Sequence, residues 1–195
     1  MPFPALLDAN VLIPLNVADL LLRLAEQETY RPLWSADLMD EVERNLVARI
    51  GLSPAQAARR VVTMQTVFPD AMVTGYEPLV PAMTNDPKDR HVLAAAVRAD
   101  AAVIVTTNLK DFPQASLAPY ALSVVSPDDF LLDQLELYPG QTLACLQQMA
   151  SARTRPPVIV PELLGRFAKI APRFAEQVRA LAVPGPRTPD PRSGA

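Results

Sequence analysis

Asp100-Ala101-Ala102-Val103-Ile104-Val105-Thr106 is the stretch that decides the fold. Between its polar ends it is continuously apolar, without the alternation of a strand that keeps one face in water. A strand of this kind is buried on both faces, as the central strands of parallel sheets are. Just upstream, Val92, Leu93, Ala96 and Val97 recur at helical spacing behind Asp86-Pro87, so a helix feeds the strand.

The same alternation extends in both directions. Ala5-Leu6-Leu7-Asp8 reads as a short buried strand, followed by a helix through Asp19 to Ala25. Arg31-Pro32-Leu33-Trp34 reads as a second strand, and Ser35 as the N-cap of a helix through Met39, Val42, Leu46 and Ile50 that Gly51 ends. Ser53-Pro54 opens a helix to about Phe68, and Ala71 to Thr74 forms a third strand. Leu122 to Val125 is a weaker strand before a helix that starts near Pro127. Strand and helix thus alternate over 4–138, which predicts a layered α/β fold with a mostly parallel sheet. After Pro139-Gly140, helical pieces are expected at 142–152, 161–170 and 172–181, with no strand between them. The expected organisation is a body, 1–138, a helical extension, 139–183, and a tail, 184–195, too poor in apolar residues to pack.

Composition narrows the chemistry. Half of the 195 residues are hydrophobic, enough for a core of ordinary size. No apolar run approaches the roughly 20 residues that span a bilayer, and Met1-Pro2-Phe3-Pro4 lacks a basic leader, so a cytoplasmic protein with no membrane partner is expected. One cysteine and one histidine exclude disulfide scaffolds and tetrahedral zinc sites. Cys145 sits in an apolar helical context and is given no role, so the chemistry must run on carboxylates. Charge is uneven: residues 1–140 hold 10 Lys and Arg against 18 Asp and Glu, a net −8, whereas 141–195 hold 8 against 3, a net +5. The basic part is either a solvated face or an arm that contacts phosphates.

Acids stand where apolar segments stop. Asp8 ends the first strand, where a carboxylate without a partner would lose its hydration. It either caps the next helix or meets a cation, and Asn10 is expected to support its turn through the side-chain amide. In Asp86-Pro87-Lys88-Asp89 helix capping alone accounts for both acids. Yet Asp89 shares a helical face with Leu93 and Ala96, so it is the one expected to look across the sheet rim while Asp86 caps. His91 is turned about 200° from Asp89 around that helix. On the second helix Asp40, Glu41 and Glu43 are all candidates, and periodicity does not choose among them. Asn108 and Asp111 follow the central strand in a polar turn, and the strand pattern makes the ends after Asp8 and Thr106 neighbours.

Leu6 to Ile13, Ser35 to Leu46, Asp86 to Ala96 and Val105 to Pro113 resemble, in order, the four motifs of PIN-domain ribonucleases. The resemblance covers about residues 4–130, and the nearest branch is that of bacterial VapC-type toxins, with a helical C-terminal addition. It implies a three-layer α/β/α nuclease domain with the added helices behind it. By the same resemblance Asp8 is the first metal-binding aspartate, Glu41 the helix glutamate and Asp89 the third acid. Asn108 falls where many members have a fourth aspartate, with Asp111 or Asp86 available to supply the missing charge. The implied activity is Mg²⁺- or Mn²⁺-dependent endoribonuclease cleavage, leaving 5′-phosphate and 3′-hydroxyl ends. The implied partners are an RNA substrate, a second copy of the chain and a small antitoxin protein. Arg153, Arg155, Arg166, Lys169, Arg173 and Arg179 are candidates for the RNA backbone. A phosphohydrolase of the haloacid dehalogenase type also begins with an acid after a strand, but its second aspartate is Asn10 here. A PIN-like body that binds RNA or protein without cleaving is the remaining alternative.

Overall fold

The computed structural model describes residues 2–154 and 156–182. In chain order β1 (Pro4–Leu7) is followed by α1 (Ala9–Leu12), α2 (Leu15–Glu26), β2 (Arg31–Ser35), α3 (Ala36–Ala48), α4 (Pro54–Val67) and β3 (Met72–Val73). Then come α5 (Arg90–Arg98), β4 (Val103–Val105), α6 (Gln114–Leu117), β5 (Ser123–Val125), α7 (Pro127–Leu137), α8 (Pro139–Ser151), α9 (Val160–Gly165) and α10 (Pro172–Ala182). The strands form one sheet in the order β3-β2-β1-β4-β5, and every neighbouring pair is parallel. Helices cover it on both sides, giving the α/β/α architecture expected.

Local chemistry explains most boundaries. Ser35 accepts from the Leu38 N–H at the head of α3, and Ser53 with Gln56 forms a reciprocal capping box at α4. Ser126 caps α7 by accepting from the Asp129 N–H. Gly51 takes φ +79° after α3, where the Leu52 N–H folds back to the Leu46 carbonyl.

Three expectations need correction. Asp86 does not cap α5: its Oδ1 accepts from the Lys88 N–H in a tight turn, and the helix begins only at Arg90. The central strand is shorter than its apolar run, because Asp100 takes φ +51° to end α5 and leaves only Val103–Val105 in the ladder. Among the extension helices, α8 starts at Pro139 rather than at 142, and α9 stops at Gly165, with turns to Ile170.

The extension shares the core of the body. Leu146, Met149, Leu163, Phe167, Phe174 and Val178 are buried in the same cluster as Leu6, Leu7, Trp34 and Ile104. Phe167 meets Phe174 edge-on, with ring centroids 5.9 Å apart. Along the extension, α8 packs on α2 and α7, and α10 on α7. Asp128, at the start of α7, accepts from the Arg173 and Phe174 N–H groups and so caps α10 from another helix. Asp128 and Asp129 also hold the Arg173 guanidinium, whose side chain stays 60% exposed. Arg155 and the tail expected to stay unpacked lie outside the described residues.

Candidate active site

A parallel sheet sends all its carboxyl ends to one rim, and loops leaving that rim form the crevice of such folds. Leu7 pairs with Val105, and the Asp8 N–H continues the ladder to the Val105 carbonyl at 3.1 Å. The ends after Asp8 and Thr106 are therefore neighbours, as expected.

Asp8 occupies the N-cap position of α1 but makes no side-chain cap bond, so its carboxylate is not engaged in starting the helix. Instead Asp8 Oδ2 accepts from Asn10 Nδ2 at 2.6 Å and from Thr106 Oγ1 at 2.6 Å. Asn10 Nδ2 also donates to Thr106 Oγ1, and Asn10 Oδ1 accepts from the Thr107 N–H. The Asn108 N–H closes the set onto Thr106 Oγ1 at 3.0 Å. One carboxylate oxygen is thus fixed by two donors from two strand ends.

Asp8 is only 4% exposed. Burial lifts its carboxyl from the ordinary 3.8 to about 6, against the pull of the Thr106 hydrogen bond, and the charges of Asp89 and Glu41 push the same way as burial. Asp89 is raised too, first by burial, then by Asp111, Asp86 and Glu41, while His91 offsets part of this. Asp89 stands at the head of α5 without a side-chain cap bond, so its carboxylate is not spent on capping. Carboxylates from β1, α3 and the turn before α5 therefore act on one another across the rim.

The two loops that follow are also joined. The Asp86 N–H donates to the Asp111 carbonyl at 3.1 Å. Asn108 is exposed and heads the short turn Leu109–Asp111. Next to burial, the negative charge of Asp111 acts most strongly on Asp89, ahead of Asp86 and Glu41.

Thr106 was the residue that sequence reasoning missed. A threonine closing an apolar strand is common, and only the pairing of β1 with β4 reveals its hydroxyl as a donor to Asp8. Cys145 fits its expected inert role: it is buried in α8, and burial pushes its thiol upward.

All the donors at the rim are oxygens, the set that hard divalent cations prefer over the nitrogen and sulfur ligands of zinc. Among the described residues no group of three or more His, Cys, Asp or Glu side chains is placed so as to hold a metal ion.

Comparison with known proteins gives the family. A PIN domain model matches residues 4–110, more than half of the chain. The chain belongs to the PIN-domain family. The match spans β1 to β4 and includes Asp8, Glu41 and Asp89. A second model, the VapC50 C-terminal domain, matches 127–180, from the start of α7 into α10. A curated protein of Mycobacterium tuberculosis named "Putative ribonuclease VapC50" is 48% identical over 123 residues, covering 61% of this chain and 73% of that protein. No solved structure matches this PIN-domain chain. Among the described residues no helix is long and apolar enough to cross a membrane.

Proposed function

We propose that this PIN-domain protein is a cytoplasmic, metal-dependent endoribonuclease and the toxin component of a toxin–antitoxin pair. The observation that carries the reading is Asp8: a buried carboxylate, pinned by Asn10 and Thr106, that faces the charges of Glu41 and Asp89. Like charges held at a strand rim against hydration call for a cation. In this reading Asp8, Glu41 and Asp89 hold Mg²⁺ or Mn²⁺, with Asp111, Asp86 and Asn108 as further ligands, direct or through water. Such an ion supplies Lewis acidity, an activated water and charge neutralisation at a phosphodiester.

The chain's own residues do the rest. Thr106 and Asn10 fix the orientation of the Asp8 carboxylate, so its second oxygen is left for the ion. Burial holds the Asp8 carboxylate in a low-dielectric setting, where neighbouring charges act on it more strongly than in water. Asp111 offsets the neutrality of Asn108, the feature that otherwise favours a silent PIN module binding RNA or protein. The ribonuclease name of the relative supports an RNA substrate; a small antitoxin and a homodimer come with the VapC-type resemblance alone. Residues 1–138 are the nuclease domain and 139–183 the helical extension, followed by the tail, 184–195.

The test is cleavage of structured RNA by the purified chain with Mg²⁺ or Mn²⁺, with EDTA, and by Asp8→Ala and Asp89→Ala. The expected result is metal-dependent cutting to 5′-phosphate and 3′-hydroxyl ends that either variant loses. Equal cutting by all three proteins would place the activity elsewhere.

A further inference from the structure

Three arginines from three separate elements lie near the first turns of α2. On α2, Arg23 Nε bonds Asp19 Oδ1 at 2.9 Å. On α4, Arg60 is largely covered, and its Nε and Nη2 are buried with no hydrogen-bond partner among the described residues. Just past α8, Arg153 Nη2 donates to Asn16 Oδ1, while Nη1 is buried and unpartnered among the described residues. Asp19 is the acid whose charge reaches Arg60, and it reaches Arg153 as well, against repulsion from Arg166 and Arg23. Asp19 and Arg23 line one cleft with Thr63 and Met64 of α4, a turn beyond Arg60, and Asn16, one turn before Asp19, holds Arg153, so a single paired carboxylate lies among three arginines.

A guanidinium withdrawn from water without an acceptor is costly, and an anion relieves that cost. The group's planar fork fits a phosphate in particular.

The fold sets this cluster toward the acidic rim. Asp8 leaves β1 at the rim, and α2 begins shortly after and runs back to the start of β2, so Asn16 and Asp19 lie on its rim-side turns. From the end of β5, α7 runs away from the rim and α8 returns along α2, which carries Arg153 back to Asn16.

We infer that Arg60 and Arg153, with Arg23 neutralising Asp19, form a phosphate subsite shared by the PIN body and its helical extension, which takes an RNA backbone phosphate away from the bond being cut. The inference rests on the ribonuclease reading. It also answers a difficulty of that reading: a polyanion must approach a rim of carboxylates, and a cationic hold beside them keeps it there.

The experiment measures binding of a fluorescent single-stranded RNA to the full chain carrying Asp8→Asn, across a salt series, with cleavage by the wild type followed in parallel. Arg153→Gln and Arg60→Gln are each expected to weaken binding about 5- to 10-fold and to flatten the salt dependence by roughly 0.7 in slope, one phosphate contact on a single strand. Asp19→Asn, which frees Arg23, is expected to tighten binding. If Arg60→Gln does not fold, Arg153→Gln, the less covered site, decides. Wild-type cleavage together with unchanged affinity and slope in folded Arg153→Gln overturns the subsite and leaves the nuclease standing. A wild type that neither binds nor cleaves RNA overturns both.

Discussion

Thr106 Oγ1 donates a 2.6 Å hydrogen bond to Asp8 Oδ2 across 98 positions of sequence, joining the ends of the two central strands at one carboxylate. Thr106→Val keeps the shape and removes the donor. Loss of a buried bond to a charged acceptor costs about 1.5–3 kcal/mol, and a lost supporting contact to a metal ligand weakens metal affinity or activity roughly 10- to 100-fold. Thermal melts and RNA cleavage rates of Thr106→Val read both effects.

The pH dependence of stability follows from the raised carboxyl of Asp8. Its folded value of about 6 lies above the ordinary 3.8, so the folded chain holds this proton more tightly than the unfolded chain. The resulting stabilisation is fully present below pH 3.8 and is lost as pH rises through about 6, a change of about 3 kcal/mol. Asp8→Asn lacks this dependence and is expected to melt higher than the wild type at pH 7.5, with the difference closing toward pH 4. Mn²⁺, which replaces the proton, should raise the wild-type melting temperature above pH 6 and not at pH 4.

Asp89→Asn removes a like charge that pushes Asp8 upward. The pH at which the stability of the free protein falls is expected to move downward, while metal-dependent cleavage drops by roughly 100-fold or more, as for loss of a group acting on the transition state. Melting curves across pH and single-turnover rates separate the two.

Asp111 and Asn108 are expected to differ sharply. Asp111→Asn should weaken the apparent affinity for Mn²⁺ about 10-fold, because the charge of Asp111 acts on Asp89. Asn108→Ala, at an exposed amide, should change it less than 3-fold, about 0.6 kcal/mol. Activity against Mn²⁺ concentration gives both values.

Asp128→Ala is expected to cost about 1–2 kcal/mol by uncapping α10, whereas Arg173→Ala should cost far less, since its side chain is 60% exposed and exposed ion pairs contribute little. Urea unfolding of the two variants makes the comparison.

Much of this architecture was legible because Leu6-Leu7 and Val103-Ile104-Val105 are unbroken apolar runs that only a doubly covered sheet accommodates. The serine caps at 35 and 53 were equally plain, since their acceptors reach only three residues. The turn at 86–89 was not, because an aspartate before proline serves a helix cap and a tight turn alike. Glu41 could not be separated from Asp40 and Glu43 by spacing, and the family motif selected it. The support of Asp8 by Thr106 and the capping of α10 by Asp128 are long-range contacts, with no local pattern to announce them. The basic extension was read from charge, which does not show that Arg173 pairs with Asp128 and Asp129 or that one nitrogen of Arg153 bonds Asn16.

The central claim is that RNA cleavage depends on the ionised Asp8 carboxylate. Its most direct test is the single-turnover cleavage rate from pH 5 to 8 at a fixed, subsaturating Mn²⁺ concentration, for the wild type and Asp8→Asn. The account predicts a wild-type rate that climbs as Asp8 loses its proton and levels off at higher pH, with Asp8→Asn flat at background. An Asp8→Asn protein that cleaves at the wild-type rate would contradict it.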